Sequence, residues 1–267
     1  MSDTERAPAG IDPTIPSVAR IYDYYLGGKD NFAADRAAAD KIIKLVPNSR
    51  EVARDNRDFL GRAVRYLAGS GIRQFLDIGT GLPTQENVHE VALAAAPDSR
   101  VVYVDNDPIV LTHARALLAD NASTIVVNGD MHEPDAIIEA AAGHLDFAEP
   151  VAVLLVAVLH FLPDDEETYR IVEGIRARLA PGSALVVSHV YAGDHTAETI
   201  KEGAAVYART ATGSLTGRGP EQVARYFEGL RILEPGIVPV EAWRPDYDEV
   251  KVDLVKPGIL CAIGEVG

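Results

Sequence analysis

Between residues 73 and 190, the sequence alternates short apolar runs with longer amphipathic segments. The longer segments repeat apolar residues at three- and four-residue steps, which indicates helices, whereas the short runs are typical of buried strands. Five strands are predicted in this way, at residues 73–78, 100–104, 124–127, 151–156 and 184–190. Strands that alternate with helices form a mostly parallel sheet with helices on both faces. The sequence therefore predicts an α/β fold.

The segments on either side of this pattern carry weaker signals. Residues 1–16 are rich in proline, glycine, alanine and charge, which is typical of a loose arm. Residues 17–46 have the pattern of helical pieces that break at Gly27 and Gly28, and a firmer helix follows Ser49. After the fifth strand we predict a helical insertion over about residues 192–228 and a terminal hairpin. The chain then divides into an arm and helical cap, residues 1–70, and an α/β domain, residues 71–267.

Composition and charge exclude several classes of protein. The chain has 25 Lys and Arg residues against 40 Asp and Glu residues, a formal net charge of −15, which disfavours nucleic acid as a partner. Cys261 is the one cysteine, so neither an intrachain disulfide nor a thiolate metal cluster can form. The longest apolar run, residues 151–159, is too short to span a membrane, and residues 1–10 lack a secretion signal. By elimination we expect a cytoplasmic location.

The most informative motif is Asp-Ile-Gly-Thr-Gly, residues 77–81, at the end of the first predicted strand. Open α/β sheets bind ligands beyond the carboxyl ends of their strands, where glycines let a ligand approach the backbone. Gly79, Thr80 and Gly81 are therefore predicted to contact a ligand. The carboxylate of Asp77 favours a ligand with an amino group, because a carboxylate pairs well with an ammonium.

Two further acidic residues follow the next two predicted strands. Asp105, followed by Asn106, is placed to accept hydrogen bonds from the hydroxyls of a ribose. Asp130 is placed to accept a hydrogen bond from an adenine amine, with Met131 packed on the ring. A single Asp at a strand end is most often a cap or turn residue, but three of them beside two glycines favour a ligand site. An amine, a ribose and an adenine without phosphate are the parts of S-adenosylmethionine.

Other nucleotide sites fit this sequence less well. A dinucleotide-binding fingerprint has a third glycine where this chain has Thr84. An NAD-dependent oxidoreductase nevertheless stays as an alternative, and so does a non-catalytic regulatory module that binds S-adenosylmethionine. A P-loop at Gly28 and Lys29 is excluded, because Asp23 and Asp30 occupy the positions of its glycine and hydroxyl residue.

The same residues resemble class I S-adenosylmethionine-dependent methyltransferases over residues 73–190 and a final strand near residues 259–263. The segments Leu-His-Phe-Leu-Pro-Asp at 159–164 and Leu-Ala-Pro-Gly-Ser at 179–183 are similar to segments of many such enzymes. Residues 77–84 and the segment Ile-Tyr-Asp-Tyr-Tyr-Leu-Gly-Gly-Lys-Asp-Asn-Phe at 21–32 resemble an actinobacterial methyltransferase family first described as a domain of unknown function. This resemblance implies a Rossmann-like, seven-stranded, mostly parallel sheet whose last strand is antiparallel. It also implies S-adenosylmethionine as the cofactor, but no acceptor.

The resemblance further implies that residues 22–31 fold over the cofactor as an N-terminal helical lid. Tyr22 would then contact the methionine moiety, and Lys29 would meet its carboxylate. In the alternative interpretation the tyrosine only packs and the lysine is solvated. Ala157, after the fourth strand, is a further predicted cofactor contact. Because residues 156 and 157 are Val and Ala, the motif of amino-nitrogen methyltransferases is absent.

Catalysis by such an enzyme depends mainly on positioning, since a methyl group on a sulfonium is already a good electrophile. A general base is needed only where the acceptor must lose a proton. His160 is a candidate for that role, with a structural histidine as the alternative, and His189 and Tyr191 are weaker candidates. No two histidines have metal-ligand spacing, so no metal site is predicted. The predicted function is methyl transfer to a small molecule, and the oligomeric state is left open.

Overall fold

A computed structural model of the chain describes residues 11–83, 86–118, 121–246 and 250–267. Eight strands in these ranges form one sheet. They are β1 (Gln74–Ile78), β2 (Arg100–Asp105), β3 (Thr124–Asn128), β4 (Ala152–Val156), β5 (Ala184–Tyr191), β6 (Arg231–Ile232), β7 (Val238–Pro239) and β8 (Gly258–Glu265). The helices in the same ranges are α1 (Val18–Leu26), α2 (Ala33–Leu45), α3 (Ser49–Gly69), α4 (Val88–Ala95), α5 (Pro108–Leu117), α6 (Pro134–Ala141), α7 (Asp165–Arg176), α8 (Ala197–Tyr207) and α9 (Pro220–Arg225).

The strand order determines where a ligand can bind. Across the sheet the order is β3-β2-β1-β4-β5-β8-β6, and β1 to β5 are mutually parallel. The first strand, β1, lies near the centre of the sheet. The strands β2 and β3 follow on one side of it, and the chain then crosses to β4 on the other side. This reversal between β1 and β4 is a topological switch point, where open α/β sheets bind their ligands at the carboxyl ends of the strands.

Helices cover both faces of the central strands, which explains their continuous apolar sequences. Phe75 of β1 belongs to a cluster with residues of α3 and α4, whereas its neighbour Leu76 belongs to a cluster with residues of α6, α7 and α9. Successive side chains of a strand point to opposite faces, so each strand contributes to both clusters. The predicted mostly parallel sheet with helices on both faces is confirmed.

The helices α1, α2 and α8 form a third hydrophobic cluster, separate from the two faces of the sheet. Ile21 and Tyr25 of α1 pack there with Ile42 of α2 and Tyr207 of α8. The helix α3, by contrast, packs its buried face on the sheet. The domain boundary near residue 70 stays a prediction, as does the role of α1 as a lid.

The edge of the sheet differs from the predicted seven strands. The two-residue strands β6 and β7 pair with successive stretches of the same edge of β8, so the described residues form eight strands. Between them lie Pro235, which has no N–H to donate, and Gly236, with a φ of 91°. Neither residue can continue a ladder, so the edge strand is interrupted. As predicted, β8 is the last strand and is antiparallel to its neighbour β5.

Some predicted boundaries shift by a few residues. The helix expected from Thr84 begins at Val88, after Asn87 and Glu90 form a capping box. Thr84 itself and residues 1–10 of the predicted arm lie outside the described residues. Within the described ranges, no helix has both the length and the apolar character needed to cross a membrane.

Candidate active site

A cavity of about 830 Å³ lies at the carboxyl ends of the parallel strands, between the sheet and the helices α1, α2 and α8. Its lining includes most of the predicted site residues, which come from parts of the chain far apart in sequence. These are Tyr22, Asp77, Gly79, Thr80, Gly81, Asp105, Asn106, Asp130, Met131, Ala157 and His160. The three acidic residues at the strand ends thus share one cavity.

Asp77 brings a buried carboxylate to the cavity. The residue is 5% exposed, and its carboxylate accepts no hydrogen bond from any described residue. Burial raises the pKa of Asp77 to about 7, Arg57 opposes the shift, and Asp105 adds to it. A buried carboxylate without a partner is unfavourable. A ligand that brings a positive charge to Asp77 would therefore be stabilised.

The turn after Asp77 needs its two glycines for different reasons. Gly79 has a φ of 77°, and a Cβ at this position would lie 2.2 Å from Cγ2 of Val158. Gly81 has a φ of 68°, but nothing lies within 4 Å of a Cβ there. The first glycine lets the turn pack against the segment after β4, whereas the second borders open space in the cavity.

Replacing Gly79 with alanine is expected to lower the free energy of unfolding by about 2–4 kcal/mol, through a steric clash added to a left-handed conformation. Gly81→Ala is the matched control, because it adds the same methyl group at a similar φ without the clash and should cost about 1 kcal/mol. Urea unfolding of both variants measures the difference. Equal losses would mean that the contact with Val158 is not the reason for a glycine at position 79.

Asp105 is held in place by the backbone. Its Oδ2 accepts the N–H of Gly81 at 2.9 Å, and its Oδ1 accepts the N–H of Asp107 at 2.9 Å. Burial raises the pKa of Asp105, and the backbone hydrogen bonds from Asp107 and Gly81 oppose that shift. A carboxylate has about four acceptor positions, so Asp105 can still accept hydrogen bonds from ligand hydroxyls.

Asn106 and Asp130 lie at the exposed rim of the cavity. Oδ1 of Asp130 accepts the N–H of His132 at 3.0 Å, which closes a short turn after β3. Met131 is half-buried, lines the cavity and packs against the hydrophobic cluster that contains residues of α6. This end of the cavity therefore combines acceptor groups with an apolar side chain.

A chain of hydrogen bonds connects α1 with the end of β4. The hydroxyl of Tyr22 donates to the carbonyl of Ala53 and accepts from Nδ2 of Asn56, both at 2.9 Å. Oγ of Ser188 donates to Oδ1 of Asn56 at 2.7 Å and accepts the N–H of Ala157 at 2.9 Å. These bonds hold Ala157 at a φ of 55°. The Tyr22 hydroxyl is thus satisfied within the protein, while its residue lines the cavity.

The structure does not bring Lys29 to the cavity, because this residue lies in an exposed turn. Asp23 organises the turn, since its Oδ2 accepts the N–H of Asp30 at 3.0 Å and Nδ2 of Asn31 at 2.8 Å. A Cβ at Gly28 would lie 1.9 Å from Oδ1 of Asp23, so the turn requires glycine there. Asp23, Gly28 and Asn31 of the 21–32 motif are therefore explained by the shape of this turn.

Comparison with known proteins identifies the family. The sequence profile of the S-adenosyl methyltransferase family matches residues 4–266. The chain belongs to this family. A solved structure from Thermobifida fusca, assigned as a methyltransferase, is 41% identical with a TM-score of 0.90, and the match covers 98% of this chain and 99% of that one. A DUF574 family protein from Streptomyces avermitilis is 40% identical with a TM-score of 0.88, covering 96% and 99%. No curated protein matches the sequence.

Family membership confirms methyl transfer as the reaction and S-adenosylmethionine as the cofactor of this methyltransferase. The alternative of an NAD-dependent oxidoreductase is therefore excluded by the family. Thr84, the residue that argued against it in the sequence, lies outside the described residues. The non-catalytic module has no support from the comparisons. The family profile and the solved structures do not specify the methyl acceptor.

His160 of the methyltransferase lines the cavity as a neutral side chain. Burial, together with the nearby His189 and Arg218, holds the pKa of His160 well below its usual value. Its Nδ1 accepts the N–H of Val190 at 3.4 Å, which leaves the proton on Nε2. His160 therefore presents a donor rather than a free base, and its catalytic role stays a prediction. No cluster of His, Cys, Asp and Glu in the described ranges is suited to hold a metal ion.

His189 is a structural histidine, held by the buried side chain of Arg218. Its Nε2 accepts from Arg218 at 3.0 Å, and its Nδ1 donates to the carbonyl of Val190 at 2.9 Å. Burial lowers the pKa of His189 to about 4, so the ring is neutral. Because both ring nitrogens are satisfied and the ring does not line the cavity, His189 holds the end of β5 in place.

Sequence reasoning missed several residues of this site. Asn56 gave a usable signal, because it is a polar residue within the apolar stripe of α3. Ser188 is likewise a polar residue inside an apolar strand. Tyr25 lies within the 21–32 motif, but Tyr207 and His195 line the cavity with no local motif, and Arg218 lies between two glycines in an irregular segment. Those last three residues could be found only from the tertiary structure.

Proposed function

We propose that this methyltransferase holds S-adenosylmethionine at the ends of β1 to β3 and transfers the methyl group to a small molecule bound beyond β4 and β5. The observation that carries this proposal is the buried, unpartnered carboxylate of Asp77 in the cavity. The cofactor has an ammonium group, which is the partner that such a carboxylate lacks. The side chains that line the cavity therefore fit this cofactor.

The other cofactor contacts follow from the chemistry of each position. Asp105 would accept hydrogen bonds from the ribose hydroxyls, with Asn106 beside it. Asp130 and Met131 would contact the adenine, and residues 79–81 would let the cofactor approach the backbone, as Gly81 borders open space. Tyr22 and Ala157 would contact the methionine moiety. They lie at the two ends of the hydrogen-bond chain that runs through Asn56 and Ser188. The role predicted for Lys29 is not supported by its exposed position.

When bound, S-adenosylmethionine supplies an electrophilic methyl group. The protein then has to position an acceptor and exclude water. The helices α1, α2 and α8 cover the ends of the strands and line the cavity, which supports a role for α1 and α2 as a lid. A concave cavity of this size favours a small-molecule acceptor. The net charge of −15 argues against nucleic acid, and the cytoplasmic location stays a prediction.

Replacing Asp105 with alanine is expected to weaken S-adenosylhomocysteine binding by about 1.5–3 kcal/mol, because the variant loses hydrogen bonds from the ribose to a charged group. Isothermal titration calorimetry measures this change. Asp105→Asn is the control, since its one side-chain oxygen can still accept either the N–H of Gly81 or that of Asp107, and it should bind with intermediate affinity. Unchanged affinity in a folded Asp105→Ala variant would contradict the ribose assignment, and absence of binding by the unmodified protein would contradict the whole proposal.

A further inference from the structure

The part of the cavity beyond β4 and β5 differs in character from the part around the three acidic residues. We define this acceptor half by Tyr25 and by the cavity-lining residues within 42–53, 158–162, 190–217 and 257–259. Among these described residues there is no Asp, Glu, Lys or Arg. Much of the lining is apolar or aromatic, including Ile42, Phe161, Ile200, Leu215 and Ile259. A charged acceptor would find no opposite charge on these residues.

The acceptor half nevertheless contains polar atoms without partners, which belong to histidine and tyrosine side chains. Nε2 of His160 carries a proton and has no partner among the described residues. Nε2 of His195 is buried and also lacks a hydrogen-bond partner. Buried polar groups are normally hydrogen-bonded. Both imidazoles line the cavity, so a bound molecule can satisfy them.

A pair of tyrosines adds a further polar group without a partner. The hydroxyls of Tyr25 on α1 and Tyr207 on α8 lie 3.4 Å apart, and both residues line the cavity. One hydroxyl donates to the other, so the second keeps a hydrogen without a described partner. Burial raises the pKa of both side chains, which therefore stay protonated and uncharged.

We propose that the methyl acceptor is an uncharged, mainly apolar molecule that presents hydroxyl or carbonyl oxygens to these imidazole and tyrosine groups. The proposal rests on the proposed function, because it assigns the other half of the cavity to the cofactor. A charge buried without a partner is strongly unfavourable, whereas an oxygen can pair with the imidazole and tyrosine hydrogens. The apolar walls would contact the remainder of the molecule.

Three probes that share one ring system test this proposal: 2-naphthol, which is neutral, 2-naphthylmethylamine, which is a cation, and 2-naphthoate, which is an anion. Each is titrated calorimetrically into protein saturated with S-adenosylhomocysteine. We expect 2-naphthol to bind at least about tenfold more tightly than either charged probe. Equal or tighter binding of a charged probe would overturn the proposal, and so would no binding of 2-naphthol. Failure of S-adenosylhomocysteine itself to bind would instead contradict the proposed function.

A charge placed in the acceptor half provides a second test. Ile200 lines the cavity but is 44% exposed, so Ile200→Asp should fold. We expect this variant to bind 2-naphthylmethylamine about tenfold more tightly than the unmodified protein does, with unchanged affinity for S-adenosylhomocysteine. Val255→Asp is the matched control, because Val255 is 62% exposed and does not line the cavity. The same gain in both variants, or in neither, would contradict the assignment of this half to the acceptor.

Discussion

Replacing Asp77 with asparagine is expected to weaken S-adenosylmethionine binding by about a hundredfold, or roughly 3 kcal/mol. Asparagine has nearly the same shape, so the change removes the negative charge and little else. The cofactor ammonium would then be buried without an opposite charge, which is costly in a site that excludes water. Calorimetric titration at pH 8, where the carboxyl of the parent protein is ionised, measures the loss.

The pH dependence provides the control for this prediction. The pKa of Asp77 is raised to about 7 in the free protein, so its affinity for the cationic ligand should increase as the pH rises through 7. Asp77→Asn should lack this increase. Because the folded pKa lies above the unfolded value, ionisation of Asp77 also lowers the stability of the free protein as the pH rises from about 4 to about 7. The variant should therefore be at least as stable as its parent at pH 8. Undiminished affinity would show that Asp77 is not the ammonium partner.

Replacing Arg218 with alanine is expected to lower the free energy of unfolding by about 3–5 kcal/mol, because several buried acceptors would lose their donor, at about 1–3 kcal/mol each. The Arg218 side chain is fully buried and bonds to Asp165 at 2.8 Å. It also donates to the carbonyls of Leu159 and Leu162 and to Nε2 of His189. These acceptors would be left unsatisfied. The melting temperature should fall by about 10 °C.

Arg225 provides a matched control for Arg218. It lies on α9 and pairs with Glu166, the residue after Asp165, at 3.3 Å, but its side chain is 46% exposed. Arg225→Ala should therefore change the stability by less than about 1 kcal/mol. Arg218→Lys should recover only part of the loss, because an ammonium cannot reproduce the planar fork of a guanidinium. If alanine at both positions cost the same, the contacts of Arg218 would not be what stabilises the segment after β4.

Much of the fold was predictable because burial on both faces leaves a strong pattern in the sequence. The apolar run at 151–156 could only be a strand enclosed by helices in a βαβ series, and β4 occupies that position. The strands β6 and β7 have two residues each, which is too short for the sequence pattern to predict how they pair. Their division at Pro235 and Gly236 depends on the edge of β8, which is formed by residues much later in the chain.

The sequence pattern was enough to predict the alternation of strands and helices and the meeting of Asp77, Asp105 and Asp130 in one cavity. The reason is that parallel strands end at the same edge of a sheet, so residues that follow them must be neighbours. Three-dimensional packing, in contrast, sets the exposure of Lys29, the hydrogen bonds of Asn56 to both Tyr22 and Ser188, and the contacts of Arg218 with the segment after β4. It also decided which side chains line the acceptor half. These arrangements depend on the packing of α1, α2, α8 and the insertion against the strand ends, and no local pattern encodes contacts between residues so far apart in the chain.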